Sequence, residues 1–176
     1  MLILLNGPPG SGKSTLAQRY VDDHPLALNL DIDRVRALLG RWPDHAHEAG
    51  LAARALALAM ARTHLDAGHD VVIPQYLGRV AFIEQIEQLA AETGIRFHEL
   101  VLLDSKPNML RRFAERTKAA RPEHVEANAQ LRGGGEPALA EMYDRLIELI
   151  DQRPNARIIQ SEHGKPQQTY QRLLDA

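Results

Sequence analysis

Residues 7–15 read Gly7-Pro8-Pro9-Gly10-Ser11-Gly12-Lys13-Ser14-Thr15, and this stretch decides the fold. It fits G-x-x-x-x-G-K-[ST], in which glycines let successive backbone N–H groups turn inward as an anion nest while a following helix adds its positive end. The apolar run Leu2 to Leu5 just before it reads as a buried strand, and a helical pattern over about 13–22 comes just after. Strand, loop and helix thus stand in the order a phosphate cradle demands. Lys13 then reaches the β- and γ-phosphates and the Ser14 hydroxyl ligates Mg²⁺, with Gly7, Pro8, Pro9, Gly10, Ser11, Gly12 and Thr15 completing the nucleotide-binding set. The expected cofactors are ATP and Mg²⁺. Such a loop locates a nucleotide without naming the reaction.

Outward from the loop, short apolar runs recur at 26–30, 71–73, 97–103 and 156–159, separated by helical patterns over about 33–40, 46–67, 79–92, 107–118, 137–152 and 166–175. That alternation predicts a three-layer α/β P-loop fold: a five-stranded parallel sheet, order 2-3-1-4-5, with helices on both faces. Along the 46–67 helix, Met60 and the leucines read as core. No repeat or linker divides the 176 residues, so one domain is expected over 1–176, large enough for a core without staples. The chain has no cysteine, which excludes disulfides and thiolate metal sites. Neither a secretory h-region nor a membrane span is present, so the expected location is cytoplasmic, with no membrane partner.

A net charge of −2 and 5% aromatics argue against a broad nucleic-acid surface. That near-neutrality averages two unlike parts. Residues 104–132 carry seven Lys and Arg against four Asp and Glu, a net of +3, which leaves −5 on the rest. The overall near-neutrality excludes a long polyanion as partner, and the cationic segment suits one compact triphosphate.

After the second strand comes Asp31-Ile32-Asp33-Arg34-Val35-Arg36. In an open parallel sheet ligands bind beyond the carboxyl ends of the strands, and both aspartates fall there. Phosphoryl transfer to an alcohol needs a carboxylate that accepts the hydroxyl proton and a cation near the developing charge. Asp33 as base and Arg36, one helical turn on, supply both, and Asp31 is placed to hold a Mg²⁺-bound water. An aspartate before a helix also serves as an N-cap, which is the structural alternative for Asp33.

The loop GPPGSGKST followed by D-x-D-x-x-R resembles the small P-loop kinases that phosphorylate hydroxyls: the zeta-toxin, chloramphenicol-phosphotransferase, tunicamycin-resistance and polynucleotide-kinase-like groups. The pair of acids is similar to that of shikimate kinase. The resemblance implies that Asp33 is the base or substrate anchor and that Asp31 assists Mg²⁺. It departs at the third strand, which many relatives end on an acidic residue and which here runs Val71-Val72-Ile73-Pro74-Gln75-Tyr76. Gln75, Tyr76 and Arg79 become acceptor-pocket candidates, as does Trp42, the single tryptophan. The resemblance also places the segment 161–166 near the adenine.

Beyond the fourth strand, Arg112 and Arg116 share one helix face at i and i+4, where planar guanidinium groups converge on phosphates. This R-x-x-x-R element resembles the start of the lid in these kinases, implying a lid over about 112–137. Arg116 is the expected catalytic arginine, followed by Arg112 and Arg121 as triphosphate ligands, with Pro122 and Gly133 to Gly135 as hinges. The pair His45 and His47 lacks a third ligand and reads as a surface pair.

The chain therefore reads as an ATP-dependent kinase acting on a hydroxyl of a small molecule, of antibiotic, sugar or nucleoside type. Two alternatives stay open. A nucleotide-dependent ATPase or switch acting through a protein partner would carry a guanine-reading N-K-x-D, which is missing, or a positioned Gln such as Gln75. A polynucleotide 5′-kinase would need a basic channel.

Overall fold

The computed structural model describes residues 1–118, 135–161 and 165–175. Five strands, β1 (Leu2–Asn6), β2 (Leu28–Asn29), β3 (Val71–Pro74), β4 (Phe97–Leu103) and β5 (Arg157–Gln160), form one parallel sheet in the order β2-β3-β1-β4-β5. Around it lie α1 (Lys13–Asp23), α2 (Ile32–Ala37), α3 (Ala46–Asp66), α4 (Val80–Thr93), α5 (Lys106–Lys118), α6 (Gly135–Asp151) and α7 (Pro166–Leu174), with a 3₁₀ turn at Trp42–His45.

Because side chains alternate along a strand, a sheet covered on both faces needs apolar residues at every position. β1 meets that requirement from Leu2 to Leu5. Leu2 and Leu4 join Val71, Ile73 and Val101 under α3, α4 and α6, while Ile3 and Leu5 join Val72, Leu100, Leu102 and Ile159 under α1 and α7. This is the three-layer arrangement the periodicity predicts.

Three local expectations are corrected. Met60 and the leucines of α3 do not all face the core: its buried stripe is Ala49, Ala53, Ala57, Ala61 and Leu65, leaving Leu51, Leu56 and Met60 exposed. Small residues spaced four apart let that helix lie close to its neighbours, and close approach outweighs side-chain bulk. The second apolar run is mostly turn: Leu26 has φ 65° and is 70% exposed, Ala27 N–H donates to His24, and only Leu28–Asn29 pair as strand. Helix α2 ends at Ala37, short of residue 40, because tight turns from Leu38 and Leu39 back to Val35 and Arg36 close it.

The parallel sheet puts all five carboxyl ends on one rim. There β1 runs into the phosphate loop, β2 toward Asp31, β3 into Gln75, β4 into Asp104 and β5 into Ser161.

Candidate active site

The cradle is shaped by its glycines. At Gly7, φ is 152°, and a Cβ there would meet the Leu102 carbonyl oxygen and Ser11 Oγ, both at 2.7 Å, so only glycine lets the loop pass this close to β4. Gly12 caps α1 with φ 97°, and open space surrounds the Cβ it lacks. An anion fits beside it, at the positive end of α1. Lys13 Nζ donates to the carbonyls of Gly7 at 2.8 Å and Pro8 at 3.0 Å, and Ser11 N–H donates to the Pro8 carbonyl at 3.1 Å. Ser14 and Thr15 are exposed on the first turn of α1.

Two buried side chains hold this loop from two directions: Asn6, which the sequence reading did not single out, and Ser161, which it placed only in a segment near the adenine. Asn6, fully buried at the end of β1, accepts through Oδ1 from Gly7 N–H at 2.8 Å and from Leu77 N–H at 2.9 Å, and donates through Nδ2 to the Leu77 carbonyl at 2.9 Å. On the other side the Ser161 hydroxyl donates to the Ser11 carbonyl at 2.8 Å. Arg112 donates to the Ser161 carbonyl at 2.6 Å and to its hydroxyl at 3.3 Å, and forms an ion pair with Asp104. Burial pulls the Arg112 pKa below its ordinary value, yet an arginine stays charged. Arg112 thus braces the cradle through Ser161. One signal for Asn6 is visible in the sequence, a polar residue ending an otherwise apolar strand. Ser161 has no comparable local signal.

On the acceptor side the N-cap is Asp31, whose Oδ1 accepts from Asp33 N–H at 2.9 Å and more distantly from Arg34 N–H at 3.4 Å. Burial, and after it the neighbouring Asp33 charge, raise the Asp31 pKa above the usual carboxylate value. Asp33 is consequently released from capping. Its exposed carboxylate pairs with Arg36 Nη2 at 3.0 Å, and the Arg36 guanidinium lies 4.6 Å over the Trp42 ring. The structure therefore brings Asp33, Arg36 and Trp42 together.

The remaining candidates are spread out. Gln75 N–H donates to the Leu5 carbonyl at 3.1 Å, which sets it beside the end of β1, and its Oε1 is buried without a hydrogen-bond partner. The Tyr76 hydroxyl donates to the Met142 carbonyl at 3.0 Å, tying that ring to α6, where burial raises its pKa. Arg79 is exposed at the start of α4. Arg116 lies on α5 with its side chain outside the described residues, as is the whole of Arg121, Pro122, Gly133 and Gly134.

Among the described residues no group of three or more His, Cys, Asp or Glu gathers as a metal cluster. The donors on the rim, the Ser14 hydroxyl and the Asp31 and Asp33 carboxylates, are hard oxygens. These suit Mg²⁺, which binds through few protein ligands plus phosphates and keeps several waters.

The family described as AAA domain matches residues 2–133 of this chain. Among solved structures, the tunicamycin resistance protein of Deinococcus radiodurans is similar with a TM-score of 0.62 at 18% identity, covering 99% of this chain and 93% of that one. A gluconokinase from Sinorhizobium meliloti 1021 is similar with a TM-score of 0.60 at 15% identity, covering 98% and 93%. Both likenesses are of fold. No curated protein sequence matches the chain. Among the described residues no helix is long and apolar enough to cross a membrane.

Proposed function

The chain belongs to the AAA domain family, here of P-loop kinase-like form, and from that premise we propose that it is an ATP-dependent phosphotransferase whose acceptor is a hydroxyl of a small molecule. The observation that carries this reading is the Asp33–Arg36 pair at 3.0 Å, standing on the same sheet rim as the phosphate cradle. A carboxylate there can accept the proton of an acceptor hydroxyl, and the guanidinium beside it can offset developing charge.

Lys13 Nζ, with three N–H donors, holds the β- and γ-phosphates and stabilises the charge that spreads over the transferring phosphoryl. Ser14 Oγ would hold Mg²⁺, with Asp31 assisting through a metal-bound water. When bound, that ion would offset negative charge on the phosphates. Asp33 accepts the proton of the acceptor hydroxyl as the hydroxyl oxygen bonds the γ-phosphorus and the bond from that phosphorus to the β-phosphate oxygen breaks, releasing ADP. Arg36 fixes the Asp33 carboxylate in place, while Trp42 fixes Arg36. Sugars, nucleosides and hydroxylated antibiotics all offer the hydroxyl this site requires.

The test incubates the protein with γ-labelled ATP, Mg²⁺ and a panel of such alcohols, and follows label by mass spectrometry. Label on an acceptor, lost in Asp33→Asn, supports the reading. Label released only as inorganic phosphate, at a rate Asp33→Asn leaves alone, overturns it.

A further inference from the structure

Asn6 takes no part in the reaction just described, yet its amide joins the phosphate loop to the segment that leaves β3. Its Oδ1 accepts from the first N–H of the phosphate loop, at Gly7, while the same oxygen and Nδ2 grip both backbone polar groups of Leu77. Leu77 follows Gln75 and Tyr76 in the segment that leaves β3, and the first amide of that segment also hangs from β1, through Gln75 N–H to the Leu5 carbonyl. A planar carboxamide is the group that fits: it accepts twice and donates within one rigid plane. Aspartate lacks the donor, and serine lacks the second heteroatom. At full burial none of these three bonds can be exchanged for water, so their geometry is enforced.

We propose that Asn6 couples the phosphate cradle to the acceptor-side segment, so that phosphates entering the cradle reset Leu77 and its neighbour Gly78. This inference rests on the phosphotransferase reading. The physical link starts at Lys13, whose ammonium donates to the Gly7 carbonyl. Incoming phosphates draw on the same three N–H groups, which changes the pull on Gly7. On the β4 side Gly7 packs so closely that an added Cβ would meet the Leu102 carbonyl oxygen at 2.7 Å, which limits its shift that way. Its remaining freedom is a tilt that alters the N–H to Asn6 Oδ1 bond. The rigid amide passes that tilt to Leu77. Such coupling sets the acceptor segment only when the donor is in place, and phosphoryl transfer is sensitive to displacements of about 1 Å.

A spatial route is not coupling until it is measured. The experiment titrates the ¹⁵N-labelled full chain with AMP-PNP and Mg²⁺ and follows the amides of Gly12, Leu77 and Gly78. In the unmodified protein Leu77 and Gly78 shift with the same apparent Kd as Gly12. In Asn6→Ala the Gly12 shift persists while the Leu77 response shrinks by about five-fold. Ser161→Ala, which cuts the tie on the other side of the cradle, leaves the Leu77 response intact. A Leu77 amide that stays silent while Gly12 shifts, or that responds undiminished in Asn6→Ala, overturns the coupling. Absence of any Gly12 shift overturns the nucleotide reading instead. Should Asn6→Ala fail to fold, Asn6→Leu, close in size but without polar atoms, removes the oxygen that both N–H groups share. An undiminished Leu77 response there overturns the proposal equally, and a reduced one supports it.

Discussion

The phosphate cradle is positioned by backbone and by buried side chains, with Asn6 and Ser161 gripping it from either flank. The acceptor side rests on the six-residue helix α2, whose exposed Asp33 is held by one ion pair to Arg36, itself stacked on Trp42. In the proposed reaction the difference would follow from the chemistry each side serves. Every triphosphate presents the same oxygens, so a rigid nest suffices for the donor. An acceptor varies in shape, and side chains on a short helix can be exchanged without disturbing the sheet. The donor half is therefore set by the fold and the acceptor half by local residues.

The largest expected effect is on the donor side. Lys13→Met removes the donors that face the transferring phosphoryl, and label transfer is expected to fall about 10³-fold. Asp33→Asn is expected to cost about 10²-fold in transfer while nucleotide affinity, read by titration calorimetry, stays unchanged. If Asp33→Asn weakens nucleotide binding as much as transfer, the two halves are not separate and the comparison fails.

Stability distinguishes the halves as well. Gly7→Ala drives a methyl into the Leu102 carbonyl and Ser11 Oγ, and is expected to destabilise by about 2 kcal/mol, lowering Tm by about 5 °C. Gly12→Ala meets open space and is strained only through its φ of 97°, at about 1 kcal/mol. Equal losses would mean that close packing against β4 does not hold the loop. Arg36→Lys keeps the charge but gives up planar pairing with Asp33 and part of the stacking on Trp42. The acceptor KM is expected to rise about five-fold with Tm unaltered.

The same division explains what could be read from the chain. The cradle is contiguous, its strand and helix adjoin it, and apolar runs fix five parallel strands, so the donor half follows from local order. Asp33 and Arg36 were visible because both lie on one helical turn. Asn6 to Leu77 spans 71 positions, Arg112 to Ser161 spans 49 and Ser161 to Ser11 spans 150, and no local pattern encodes contacts that only the folded sheet creates. Arg112 shows the consequence: its spacing to Arg116 points to phosphates, while its actual partners are Asp104 and Ser161. On α3 the pattern misled in another way, since bulk was taken for burial where the contact favours alanine.

The smallest effect probes whether the acceptor side is as loosely built as this comparison holds. Asparagine caps a helix as well as aspartate does, so Asp31→Asn retains the bond to Asp33 N–H while removing a charge that burial and Asp33 both disfavour. The folded-state pKa of Asp31 lies above its unfolded value, so the folded chain binds the proton more tightly and ionisation costs stability. That cost is absent below the ordinary carboxylate pKa, grows as pH rises toward the raised folded value, and is constant above it. Asp31→Asn is accordingly expected to gain about 0.5 kcal/mol at neutral pH, about 1–2 °C in Tm, and to lose that advantage on acidification through this window. The check is thermal unfolding of both proteins across the acid range. A variant less stable than the parent at neutral pH would show that the Asp31 charge, through Arg34 and the amino end of α2, anchors this helix electrostatically. The acceptor side would then be held as firmly as the cradle, by charge where the cradle uses backbone.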